Sequence, residues 1–219
     1  ERFSEQSRAA DTGDALTLSL GIVIAHPGQP ILNLEQQARE LLRRAKRDRP
    51  GQAALDFHIV TTPVLQPIDQ IREQAYTRSD GNLRLTSRPL PLARMVRLLY
   101  HTWLFKQGGE MGALPRNKLH ALYQALFAGQ DAAAFEAFFL RSRLNQEQQK
   151  KFDAFFEEFG ILLKQGDDQD APLLPWGRQA DHTRFTPFGD LVELYEFVHT
   201  NPTASAVTVS TALPTATSP

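Results

Sequence analysis

The residue in this sequence best suited to phosphate chemistry is Lys46, in the run Leu41-Leu42-Arg43-Arg44-Ala45-Lys46-Arg47. An ammonium there can neutralise phosphate oxygens. It also complements the negative end of a helix dipole. Arg43, Arg44, Arg47 and Arg49 crowd the same turn and read as solvated charges around it. Ser19 and Gly21 stand upstream on the small-residue side of an alternating apolar run. The Ser19 hydroxyl suits a base or ribose contact. Gly21 leaves room for close approach by a backbone or a ligand.

Other candidate groups carry less chemistry. His26 and His58 read as structural histidines, because no His, Asp and Glu spacing supplies a metal-ligand pattern. The chain has no cysteine, so thiolate catalysis, disulfides and cysteine-based metal sites are excluded. It has no nucleophile elbow, phosphate-binding glycine loop or His-Glu-x-x-His motif. Gly166-Asp167-Asp168, followed by Gln169 and Asp170, has no hydrophobic strand before it and reads as a solvated acidic loop. Arg88, Arg116 and Lys118 read as surface charges beside proline turns, open to RNA or a partner subunit. No catalytic residue and no metal ligand is assigned.

The elements that must position these residues follow from periodicity. Leu16, Leu18, Leu20, Ile22 and Ile24 alternate with smaller residues, which predicts a strand with its even positions facing a core. Pro27, Gly28 and Pro30 make a turn. Asn33 caps a predicted helix whose Leu34, Ala38, Leu41, Leu42 and Ala45 form one stripe, and Pro50-Gly51 stops it. Leu55–Thr62 is a second predicted strand, so the first third reads β-α-β. Residues 68–91 form a connector. From Leu92 the pattern is helical, with predicted starts at Leu92, Pro115, Asp131, Asn145 and Gly189. The expected inward residues are Leu92, Met95, Val96, Leu99, Tyr100 and Trp103 in the first helix. Phe135, Phe138 and Phe139 are expected inward in the third, and the Phe152 to Phe159 stripe in the fourth. Short connections make this a bundle. Residues 200–219 are uncharged and of low complexity.

Composition sets the outer limits. The chain has 219 residues, enough for one large or two small domains. Its 24 basic and 25 acidic side chains nearly cancel, so overall charge selects no nucleic-acid or membrane partner. No apolar run reaches membrane-spanning length. The start at Glu1-Arg2-Phe3-Ser4 carries no initiator Met and no signal peptide, and reads as a piece of something longer.

Three segments in order carry a family resemblance. Leu18-Ser19-Leu20-Gly21-Ile22-Val23-Ile24-Ala25-His26 resembles the strand that follows the catalytic hairpin of nucleotidyl-cyclase palm domains. The Ala45-Lys46 helix end and Leu55-Asp56-Phe57-His58-Ile59-Val60 resemble that palm's later helix and closing strand. Downstream, Leu85-Thr86-Ser87-Arg88-Pro89-Leu90 and Leu114-Pro115-Arg116-Asn117-Lys118-Leu119 resemble segments after the second palm of the large polymerase-like subunit of type III CRISPR effector complexes. GGDEF-type diguanylate cyclases are a more distant likeness.

The resemblance implies an α+β fold: the C-terminal part of a ferredoxin-like palm over 1–67, then a helical bundle over 92–199. It implies a parent that uses ATP and Mg2+ to make cyclic oligoadenylates in prokaryotic antiviral defence. Such a parent is cytoplasmic and partnered by other CRISPR effector subunits and, through them, guide and target RNA. Lys46, Ser19 and Gly21 are the nucleotide-binding positions so implied. The family's Gly-Gly-Asp-Asp hairpin has no counterpart before Leu16, so the chain is expected to be inert alone. A degenerate palm acting as a scaffold and a GGDEF-type cyclase remain the alternatives.

Overall fold

The computed structural model describes residues 17–61, 66–78, 83–108, 112–161, 175–178 and 183–199. In chain order the elements are β1 Ser19–Ala25, α1 Ile31–Asp48, β2 Ala54–Val60, α2 Ile68–Tyr76, β3 Thr77–Arg78, β4 Leu83–Arg84 and β5 Leu90–Pro91. There follow α3 Leu92–Lys106, α4 Arg116–Ala128, α5 Gln130–Ser142, α6 Gln146–Glu158, β6 Gly177–Arg178, β7 Arg184–Phe185 and α7 Phe188–Leu194. The class is α+β, as expected. The acidic run Gly166-Asp167-Asp168 and the tail 200–219 lie outside the described residues.

Strands β1 and β2 pair in parallel from Ser19↔Ala54 to Ala25↔Val60. The β-branched and aromatic residues of both suit a half-buried pleated surface. In a ferredoxin-like sheet each β-α-β unit is split by a strand standing between its two strands. Here β1 and β2 are direct neighbours, so the unit is contiguous. β5 extends the sheet antiparallel at the start of β2, with Leu90 opposite Leu55. Gly21 faces α1 so closely that a Cβ would meet Ala38 O and fall 2.5 Å from Leu42 N. The close approach expected at this glycine is made by the backbone of α1.

A single apolar cluster runs from Leu55 and Phe57 of β2 through Leu83, Leu85 and Leu90 into the bundle. Its densest part is aromatic. Phe152, Phe155 and Phe156 of α6, with Phe159 at its C-cap, meet Phe105 of α3 and Phe188 of α7, all essentially inaccessible to solvent. The rings sit mainly edge-to-face, the arrangement their quadrupoles favour. α6 begins with a capping box in which Asn145 and Gln148 exchange side-chain to backbone hydrogen bonds, as the Asn145 start predicted.

Several expectations need correction. Asn33 caps nothing: α1 starts at Ile31, after Pro30. α5 starts after Gly129, at φ 128°, rather than at Asp131. α3 buries Met95, Leu98, Thr102 and Phe105 and turns Val96, Leu99, Tyr100 and Trp103 outward. α5 buries Ala133, Ala134, Ala137 and Leu140, leaving Phe135 and Phe138 exposed. Small residues set the contact face of α5 because they let α4 and α5 approach closely, and bulky Phe side chains do not fit there. Leu20 of β1 packs on the core, but Ile22 and, just before the strand, Leu18 are exposed. Among the described residues β1 is an edge strand, and α3 covers the sheet at β2 and β5.

Candidate functional site

Gly21 lies against Leu41 and Leu42. α1 returns antiparallel to β1, and four helical residues rise about 6 Å, close to two strand residues at about 3.3 Å each. Ala45 and Lys46 therefore come level with Ser19. Ala45 fills the inner side of this end and is fully buried, whereas Lys46 is exposed and makes no hydrogen bond or ion pair among the described residues. Ser19 is half-buried on the α1 side of the strand.

Three of the neighbouring cations are committed elsewhere, whereas Arg43 is exposed and, like Lys46, makes no hydrogen bond or ion pair among the described residues. Arg44 bridges Asp56 at 3.1 Å and also pairs with Asp69. Arg47 holds Asp48 at 2.7 Å and Asp69 at 3.4 Å. Arg49 donates to the Pro89 carbonyl. Arg44 and Arg49 are thus structural ties to β2, α2 and β5 rather than free surface charges.

Beside this end lies a buried ionic network. Asp56, in mid-strand and fully buried, accepts from Arg44 and from Arg72 of α2. Its in-register partner on β1 is Gly21, so both lie on the α1 face. Past β5 the β2 edge has a free carbonyl, Phe57 O. It accepts from Arg72 at 2.5 Å and from Arg88 at 3.1 Å. Arg88 stacks 4.3 Å from the Phe57 centroid and 4.9 Å from that of Tyr76. Asp190 of α7 accepts from Thr86 Oγ1 and from the Ser87 amide and hydroxyl, and lies 2.8 Å from Arg88 Nε. Glu193, one turn on, sits 3.0 Å from Arg88 Nη2 and accepts from the Tyr76 hydroxyl at 2.6 Å.

The expectation that Arg88 is a surface charge is therefore corrected. Its side chain is wholly enclosed, because the carboxylates that neutralise it arrive from α7, about a hundred residues later in the chain. Burial alone would lower its pKa, but Asp190 and Glu193 outweigh that and raise it. Arg72 shifts the other way, lowered by burial and by Arg88. Arg116 pairs with Glu196 at 2.9 Å, and Lys118 donates to the Arg143 carbonyl.

A cleft of about 430 Å3 opens at the carboxyl end of β2, between β2, α2, α4 and α7. Gln37 and His58 line its sheet side, and Tyr76, Tyr123, Glu193 and Glu196 the helical side. Gln37 Oε1 and His58 Nδ1 are buried without a hydrogen-bond partner. Burial holds the Tyr123 hydroxyl above its ordinary pKa, helped by Glu193. None of Ser19, Gly21 and Lys46 lines this cleft.

No family model and no curated protein matches this chain. Its chemistry therefore rests on its own residues. Among the described residues no three His, Asp or Glu side chains converge as a metal site, and no helix is long and apolar enough to cross a membrane.

Sequence reasoning passed over Gln37, Asp56, Asp190 and Glu193, though two of them left a trace. Gln37 lies four residues before Leu41 and eight before Ala45, a polar residue on a buried arc. Asp56 and His58 alternate within an apolar strand and so share one face.

His58 makes stability depend on pH. Its pKa is lowered from 6.5 to about 4, first by burial and then by Arg72 and Arg88. The unfolded chain takes up the proton first as pH falls below 6.5. Stability is therefore flat above 6.5 and declines toward pH 4. His101, lowered by burial, acts with the same sign. Urea midpoints across this range are expected to show a shallower decline in His58→Gln than in the parent protein. Identical slopes would place the titrating group elsewhere.

Proposed function

We propose that this chain is part of a protein resembling the large polymerase-like subunit of type III CRISPR effector complexes, acting in antiviral defence in the cytoplasm. Its β-α-β unit supplies one wall of an ATP-binding palm, and its helices form a platform on which neighbouring subunits, and through them guide and target RNA, assemble. The ordered segments around Gly21, Ala45-Lys46, Phe57, Arg88 and Pro115 support the family reading.

The observation that carries the platform is the outward stripe of α3. Val96, Leu99, Tyr100 and Trp103 follow helical spacing on an exposed face, with the Tyr100 and Trp103 rings stacked 6.0 Å apart. A contiguous exposed apolar face of this kind marks an interaction surface. For the palm wall, Lys46 is the cation in the last turn of α1 left free to meet a triphosphate, since Arg47 there is paired, and the Ser19 hydroxyl lies level with it. Mg2+ would come with the ATP, and no residue of this chain is assigned to hold it. A second reading, a palm-derived scaffold without nucleotide, is favoured by the closure of α1 over Gly21.

Both halves are testable in the intact protein that carries this chain. Lys46→Ala is expected to weaken ATP binding about tenfold or more by titration calorimetry, the loss of one charge-assisted contact. Unchanged affinity would leave the scaffold reading in place. Tyr100→Glu with Trp103→Glu is expected to abolish co-elution with the neighbouring effector subunits at unchanged melting temperature. Retained co-elution would overturn the platform.

A further inference from the structure

We propose that the cleft at the carboxyl end of β2 binds an uncharged heterocycle bearing an amide or amino N–H, at a site separate from Lys46. Ligands of open α/β units commonly sit outside the carboxyl ends of the strands. The cleft volume, about 430 Å3, lies within the range of small-molecule pockets.

The unpaired polar atoms of two of its lining residues specify the ligand. Gln37 is 3% exposed, and its Oε1 has no donor. His58 is 8% exposed, and its Nδ1 has no partner. A buried acceptor without a donor costs stability, and a protein retains one where a ligand satisfies it. His58 is neutral in the folded state, so Nδ1 accepts whenever the proton sits on Nε2. The inner wall thus asks for N–H donors.

Charge sets the second requirement. Arg72 and Arg88 lie behind the sheet side of the cleft and already oppose a proton on His58. A cationic ligand would meet the same field. On the helical side stand the carboxylates of Glu193 and Glu196, and the cation there, Arg116, is paired with Glu196. An anionic ligand is repelled at that side. A neutral ligand avoids both penalties, and its N–H groups satisfy Gln37 and His58.

The test uses pairs that differ in one anionic group. Nicotinamide and adenosine, with nicotinate and AMP as their anionic counterparts, are titrated into the intact chain. Binding is followed by calorimetry and by the 15N shift of the His58 ring. At least one neutral probe is expected to bind, to move the His58 resonance, and to bind about tenfold or more tighter than its anionic counterpart. Gln37→Leu is expected to lose about tenfold or more in that affinity while its melting temperature holds or rises, because the unpaired acceptor is gone. A merely structural Gln37 would show the opposite, lower stability at unchanged affinity. Glu196→Gln, on the exposed rim, is expected to narrow the gap between neutral and anionic probes. No binding of either neutral probe at millimolar concentration, an anion bound as tightly as its neutral partner, or full affinity in Gln37→Leu would each overturn the proposal. None of these outcomes depends on Lys46, so the palm reading stands or falls separately.

Discussion

Asp190→Ala is expected to remove about 3–5 kcal/mol of folding stability, the range for breaking one side of a buried ion pair. Asp190 is fully buried and accepts hydrogen bonds from Thr86, Ser87 and the Ser87 amide while facing Arg88. Without it, Arg88 stays enclosed with Glu193 as its near carboxylate, and the Ser87 amide and Thr86 hydroxyl lose their acceptor. Arg88 cannot relieve the strain by deprotonating, because a guanidinium stays charged across the accessible pH range. The segment Thr86–Arg88 therefore loosens from α7. Urea denaturation should show a lower midpoint at similar slope. Asp190→Asn, which keeps an acceptor but not the charge, should fall in between. The paired change Asp190→Leu with Arg88→Met should recover only the part of the loss due to the enclosed charge, since the Ser87 amide and Thr86 hydroxyl still lack their acceptor. A midpoint for Asp190→Ala indistinguishable from the parent protein would show that Glu193 alone neutralises Arg88.

Phe155→Ala is expected to cost about 3–5 kcal/mol, from lost burial plus the cavity left behind. Phe155 is fully buried, with ring centroids 5.0 Å from Phe156, 5.2 Å from Phe159, 5.6 Å from His101, 5.7 Å from Phe105 and 6.3 Å from Phe188. The site has little room to collapse, because its neighbours are themselves large and interlocked. The contrasting substitution is Phe135→Ala. That side chain is 68% exposed, so its truncation should stay within about 0.5 kcal/mol of neutral. Equal losses at the two positions would mean that Phe135 is buried against something else.

The contrast between Phe155 and Phe135 shows where the sequence is legible. β1, α1, β2 and the later helices follow from period and punctuation, because proline, glycine and the Asn145 cap act locally. The choice of buried face does not. α3 is apolar around much of its circumference, so helical spacing admits two faces, and packing against α6 and α7 selects the one bearing Leu98 and Phe105. In α5 the alanines decide the face through close approach to α4. The two-residue strands β3, β4, β6 and β7 are too short to have a period, and the β4–β7 pairing joins segments about a hundred residues apart.

The ionic network was out of reach for the same reason. Arg88 beside Pro89 reads as surface charge until α7 brings Asp190 and Glu193 onto it. At the N-terminal unit, the placement of Ser19 level with Lys46 follows from the strand-turn-helix pattern itself. The cleft does not, since it needs α4 and α7 to close over the end of β2.

The two guanidinium groups on the Phe57 carbonyl also give the small sheet a direction. Past β5 they occupy the acceptor that a further strand would need, and a strand added there would have to displace two buried charges. The opposite margin, β1, pairs with β2 alone among the described residues and presents Leu18 and Ile22 to solvent. Among the described residues one side of the sheet is plugged and the other is an open template. Any chain segment that enlarges this sheet, whether its own or another molecule's, is directed to β1.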